Sequence, residues 1–130
     1  MKHYNCPYCH AYLNAQGYIA LAVKKPHGNS GVILLSEEIG DYATKLNPKL
    51  DIHEGDLTHF HCPSCTESLH LPSDERLVRI LKTDSNGVEH TVIFSAINGE
   101  RSTYLISDER QLTFGEHALK FMDPEWYLKL

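Results

Sequence analysis

The chain has 130 residues, 42% hydrophobic and 22% charged, which suits one domain or two small ones that share an interface. No apolar run approaches the roughly 20 residues that span a bilayer, and the N-terminus MKHYNCPYC has no apolar stretch of the signal-peptide kind, so a cytoplasmic location is expected. The formal net charge is -5, from 12 Lys+Arg against 17 Asp+Glu, and no basic run exceeds Lys24-Lys25; this counts against a nucleic-acid binder, whose affinity comes largely from neutralising phosphates.

The first element is a tight turn, Cys6-Pro7-Tyr8-Cys9. Proline after the first cysteine presets φ near -65° and suits such a turn. Gly17 to Lys24 reads as a strand, the Pro26 to Gly31 cluster as a turn and Val32 to Leu35 as a second strand, so 17–36 forms a hairpin. Glu38 to Leu46 has no clear period. His53-Glu54-Gly55-Asp56 is a turn, and Leu57 to His61 is a strand that delivers a second tight turn, Cys62-Pro63-Ser64-Cys65. Beyond Pro72 the pattern predicts a strand over 77–82 and a type I′ turn at Asp84-Ser85-Asn86-Gly87. The next strand carries Val88, His90, Val92 and Phe94 on one face, and Ser102 to Ile106 forms the third strand of an antiparallel meander. Leu112, Phe114, Ala118, Phe121 and Met122 fall on one helical stripe, which predicts a short helix within 109–122. The apolar tail Trp126 to Leu130 either tucks onto the sheet or docks a partner. The expected fold class is mainly β. A four-cysteine module with an inserted β-hairpin is expected over residues 1–72, and the meander, C-terminal helix and tail over 73–130, the two packing as one unit.

The two cysteine turns are copies of one knuckle. Residues 3–13, HYNCPYCHAYL, align with residues 59–69, HFHCPSCTESL, at an offset of 56. His3 matches His59, Cys6 matches Cys62, Pro7 matches Pro63, Cys9 matches Cys65 and Leu13 matches Leu69. An aromatic, Tyr4 or Phe60, stands two residues before the first cysteine of each copy. A Cys-x-x-Cys turn brings two thiolates to bear on one ion, and two such turns facing each other supply the four sulfurs of a tetrahedron. Cys6, Cys9, Cys62 and Cys65 are therefore the candidate metal ligands, with one Zn²⁺ per chain as the default occupant.

Cys-Pro-Tyr-Cys also resembles the glutaredoxin dithiol. That resemblance implies a buried strand before the motif and a helix after it to depress the thiol pKa. Only Met1 to Asn5 precede Cys6, no later proline opens a convincing buried strand, and redox exchange would leave Cys62 and Cys65 without a role. Taken as a pair, the knuckles instead resemble those of a zinc ribbon, with the rubredoxin-like iron site as a relative. This implies a structural four-cysteine site holding Zn²⁺, or Fe in the rubredoxin-like alternative. Two departures stand out. Such knuckles usually carry glycine after the second cysteine, where φ is positive; here the residues are His10 and Thr66, and the β-branched Thr66 predicts that the second knuckle turns differently. The 52 residues between Cys9 and Cys62 also imply a folded insertion.

Other constellations are weaker. His59 and His61 flank Phe60 on one strand and share a face, which makes a second metal site conceivable beside the simpler reading of solvent-facing histidines. Phe114-Gly115-Glu116-His117 lacks a second acid–base partner. A four-cysteine site leaves no open coordination position, so zinc hydrolysis, and enzymatic activity generally, is not expected. The leading expectation is a zinc-stabilised adaptor or accessory subunit that binds another protein. The alternatives are a zinc-ribbon nucleic-acid or transcription-related protein and a rubredoxin-like iron electron carrier.

Overall fold

The computed structural model describes residues 3–24, 30–38, 41–42, 44–46, 55–98, 103–106 and 111–114. It is mainly β, with eleven strands and no helix among the described residues. In chain order they are β1 (His3–Asn5), β2 (Asn14–Ala15), β3 (Tyr18–Lys24), β4 (Ser30–Ser36), β5 (Thr44–Leu46), β6 (His59–His61), β7 (His70–Leu71), β8 (Asp74–Thr83), β9 (Glu89–Ser95), β10 (Thr103–Ile106) and β11 (Gln111–Phe114). All pairings are antiparallel.

The predicted hairpin is β3–β4, and β5 lies in the stretch that had no clear period. The predicted meander is β8–β9–β10. Gln111–Phe114 form β11, paired with β10; the rest of the stretch expected to hold a helix, 109–110 and 115–122, and the tail Trp126 to Leu130 lie outside the described residues. The 84–87 turn also differs from the type I′ expectation. Positive φ occurs at Gly87 (81°) but not at Asn86. Gly87 N donates to Asp84 O at 3.0 Å, and Asp84 Oδ1 accepts from the amides of Asn86 and Val88. The aspartate carboxylate holds a three-residue loop with one left-handed glycine, so Asn86 need not leave the right-handed region. A type I′ turn does occur at Gln16-Gly17, where φ is 50° and 87° and Ala15 pairs with Tyr18.

The duplication reaches well beyond the knuckles. β3 and β4 pair Tyr18 with Ser36 and Lys24 with Ser30; β8 and β9 pair Leu77 with Ser95 and Thr83 with Glu89, 59 positions on. β4 and β5 pair Ile33 with Leu46 and Leu35 with Thr44; β9 and β10 pair Val92 with Leu105 and Phe94 with Thr103, again 59 on. The offset grows from 56 to 59 because β7 and β8 meet through a register shift at His70/Leu71. There Asp74 pairs with Arg76 through Nη2–Oδ2 at 2.8 Å and Nε–Oδ1 at 2.9 Å, stapling the inserted residues.

The two repeats exchange their first strands. β1 of repeat 1 joins β8 of repeat 2, and β6 of repeat 2 joins β3 of repeat 1. One sheet is therefore β2-β3-β4-β5 with β6 added to β3; the other is β1-β8-β9-β10-β11 with β7 added to β8. Period-two burial on β3 turns Ile19, Leu21 and Val23 inward, where they join Val78, Ile80 and Val92 of the other sheet in one core. Tyr4 and Phe60, Cys6 and Cys62, and Leu13 and Leu69 complete this core, so side chains on both sides of residue 72 build it. Fully burying one such aliphatic side chain contributes about 1.5–3 kcal/mol.

Candidate metal centre

Each knuckle is fixed by the strand that enters it and the short strand that leaves it. In the first, Cys6 N donates to Ala11 O at 3.0 Å, His10 N to Cys6 O at 3.0 Å and Leu13 N to Tyr4 O at 2.7 Å. In the second, Cys62 N donates to Glu67 O at 3.0 Å, Thr66 N to Cys62 O at 3.0 Å and Leu69 N to Phe60 O at 3.1 Å. These are the same three bonds, 56 residues apart. The expectation that the second knuckle turns differently is overturned: φ is 62° at His10 and 65° at Thr66. A left-handed non-glycine residue costs on the order of 1–3 kcal/mol and persists where its surroundings over-determine it. The carbonyl of each such residue is tied down, Asn5 Nδ2 donating to His10 O at 3.1 Å and His61 Nδ1 sitting 3.2 Å from Thr66 O.

Four sulfurs converge where the knuckles face each other. Cys6 Sγ lies 3.8 Å from Cys65 Sγ, and Cys9 Sγ lies 3.7 Å from Cys62 Sγ. All four lie within 4.8 Å of one another, and none is in a disulfide. The arrangement is quasi-two-fold: Cys6 and Cys62 are fully buried, while Cys9 is exposed and Cys65 half-buried. Backbone amides face the sulfurs in matching fashion. Tyr8 N donates to Cys6 Sγ at 3.4 Å and Ser64 N to Cys62 Sγ at 3.3 Å, donors that favour thiolates. Burial pushes the Cys6 thiol up to about 12, whereas the Ala11 amide draws the exposed Cys9 down to about 7. A buried thiol of this kind ionises only with a compensating positive charge among the sulfurs, which a divalent cation held by the four cysteines would supply.

The structure brings all four predicted cysteines together. It does not bring His59 and His61 into a second site: among the described residues, no other group of three or more metal-ligating side chains converges. His61 supports the Thr66 carbonyl, the task that Asn5 performs in the first knuckle.

Two supporting residues escape the sequence reading. Asn14 Oδ1 accepts from Tyr4 N at 2.7 Å, and 56 residues on His70 Nε2 accepts from Phe60 N at 2.9 Å. His70 Nδ1 then donates to Glu75 O in the inserted bulge, which fixes a neutral ring. Burial holds the His70 pKa below its ordinary value. Asparagine and histidine share no obvious class, but both can accept with one atom and donate with another, and matching positions in the two copies was the signal available.

No helix among the described residues is long and apolar enough to cross a membrane. Compared with protein-family models, with curated proteins and with solved structures, the chain matches none.

Proposed function

We propose that Cys6, Cys9, Cys62 and Cys65 hold one structural Zn²⁺ in a zinc-ribbon-like centre, and that the protein is a small cytoplasmic adaptor or accessory subunit. The observation that carries the metal reading is the pair of Sγ–Sγ separations, 3.8 and 3.7 Å. A tetrahedron with arms of about 2.3 Å has edges of about 3.8 Å, whereas a disulfide brings its sulfurs to about 2.05 Å. When bound, the ion neutralises the thiolates and cross-links the two repeats at the point where their first strands change sheets. Residues 1–72 and 73–130 then act as one unit. Four protein sulfurs leave no coordination position for substrate, which supports a structural centre over a catalytic one. With catalysis set aside, an adaptor role is the function class left to a metal-clamped β scaffold of net charge -5.

Elemental analysis of the purified chain tests the metal reading, with one zinc per chain and a colourless protein expected. A red protein carrying iron and losing its colour on reduction would make it an electron carrier instead. A chain that stays folded and metal-free after zinc is added in excess would sink the structural-metal proposal.

A further inference from the structure

The two knuckles share one backbone, so the fold itself asks the same of both. Their exposed side chains nevertheless differ in a consistent way. Knuckle 1 carries Tyr8, His10 and Tyr12 where knuckle 2 carries Ser64, Thr66 and Ser68. The strand beside knuckle 1 supplies Arg79, and the equivalent position beside knuckle 2, 59 residues earlier, is Ala20. Among the described residues the exposed large apolar side chains are Tyr8 (46%), Tyr12 (54%), Val32 and Val88, so two of them sit on this one knuckle.

These side chains share a face. Tyr4 on β1 points into the core, which turns His3 and Asn5 to the outer face of their sheet. Tyr12 pairs with Asn5, and its ring lies 5.2 Å from that of His3. Val78 and Ile80 point into the same core, which turns Arg79 outward, and its guanidinium lies 5.8 Å from the Tyr8 ring centroid. Charge differs as well: residues 1–36 contain no Asp or Glu, and knuckle 2 carries Glu67 where knuckle 1 has Ala11. No described carboxylate forms an ion pair with Arg79.

We infer that the Tyr8–Tyr12–Arg79 face of knuckle 1 is a docking site for an extended acidic segment of another protein, one that presents a carboxylate beside proline or apolar side chains. The inference rests on the adaptor reading and names its partner's chemistry. Tyrosine and arginine dominate binding energy at interfaces because they offer large rigid faces and a planar fork. Two exposed tyrosines accept apolar or proline side chains, and the guanidinium accepts a carboxylate in two parallel bonds. A single arginine is too little cation for a nucleic-acid backbone, where several phosphates are neutralised together.

The duplication supplies variants that the backbone is known to accept. Tyr8→Ser, Tyr12→Ser and Arg79→Ala together install on knuckle 1 the residues found at Ser64, Ser68 and Ala20. The converse set, Ser64→Tyr, Ser68→Tyr and Ala20→Arg, builds the face a second time. A displayed library of random peptides is selected on the full zinc-loaded chain, and enriched peptides are titrated by fluorescence anisotropy. The expected result is enrichment of Asp or Glu beside proline or apolar residues. Binding should weaken at least about tenfold in the first triple variant, which keeps its zinc and thermal midpoint, and the converse variant should bind two peptides per chain.

Enriched peptides that bind the wild type and the first triple variant alike would place the docking site elsewhere and leave the adaptor reading standing. A library with no enrichment overturns the docking face and leaves standing the adaptor reading, which a folded partner surface also satisfies. Binding of labelled oligothymidylate, lost in the triple variant, overturns the peptide assignment in favour of nucleic acid.

Discussion

Knuckle 1 and knuckle 2 close through the same backbone hydrogen bonds and the same left-handed residue, yet they present different chemistry outside and differ in how the fold braces them. Tyr4 donates its hydroxyl to Glu37 O at 2.7 Å, while its counterpart Phe60 meets Phe94 edge to face at 5.5 Å. Asn14 reaches Glu37 Oε2 at 3.1 Å, while its counterpart His70 reaches the carbonyl of Glu75 in the bulge. The outer faces of the sheets differ more. On the first, Tyr18 lies under Lys45 Nζ at 4.7 Å, and Lys45 is exposed. On the second, the equivalent Leu77, with Ile93 and Tyr104, forms a second buried cluster. What the repeats hold in common marks what the four-cysteine cluster and shared core require. What they do not hold in common marks where one copy was free to acquire other work.

The largest expected effect treats both repeats alike. Stripping the metal with a strong chelator should remove on the order of 10 kcal/mol of stability, unfolding both knuckles and residues 1–71 at least. Far-UV circular dichroism and thermal melting check this, and a melt unchanged after full metal loss contradicts it. Cys6→Ser and Cys62→Ser should damage metal binding about equally, since both sulfurs are buried and quasi-equivalent; a strong inequality between them would break the symmetry.

Swapping the paired aromatics comes next. Phe60→Tyr adds a hydroxyl to the buried core, where the carbonyl equivalent to Glu37 O, that of Ala96, already accepts from Thr58 N at 2.9 Å, and should cost about 1–3 kcal/mol. Tyr4→Phe loses one bond and should cost about 1 kcal/mol. Denaturant titration of the metal-loaded protein gives both numbers, and the reverse order would mean that the introduced hydroxyl finds a hydrogen-bond partner.

A smaller gain is expected at the left-handed positions. Thr66→Gly relieves a β-branched residue at φ 65° and should stabilise by about 0.5–1 kcal/mol after the added chain entropy of glycine is subtracted. His10→Gly should gain less, because histidine tolerates this region better. Thermal midpoints of the two variants compare them directly.

The subtlest contrast is in pH. His70 has a depressed pKa in the folded chain, so the unfolded chain binds its proton first. Its contribution is fully present above the ordinary histidine value of about 6.5 and is lost as pH falls from there toward the folded value. Asn14, doing the same work in repeat 1, does not titrate. His70→Gln, whose Oε1 reaches about as far as Nε2, should flatten this part of the profile. Denaturation midpoints from pH 7 to 5 read it out, and equal slopes for the two proteins would exclude His70 as the source.

The four cysteines were legible because metal ligation demands particular residue types at short, rigid spacing, and HYNCPYCHAYL and HFHCPSCTESL preserve that spacing letter by letter. The β3–β4 hairpin and the β8–β9–β10 meander were legible because turn residues and period-two alternation are local signals. The duplication beyond the knuckles was not. Ile19 and Val78, Leu21 and Ile80, and Ile33 and Val92 hold equivalent core positions. A core asks only for apolar volume, and the bulge at residues 74–76 shifts the offset from 56 to 59 and hides the match. By itself the sequence determined the candidate ligands and most of the strands, since both are set by residue chemistry within a few positions. Only the tertiary structure decided that β1 and β6 change places between the sheets, that Thr66 takes the same left-handed turn as His10, and that His61 braces a carbonyl while the sulfurs meet without it. Strand partner and register depend on pairing across distant stretches of chain, where no local preference reaches.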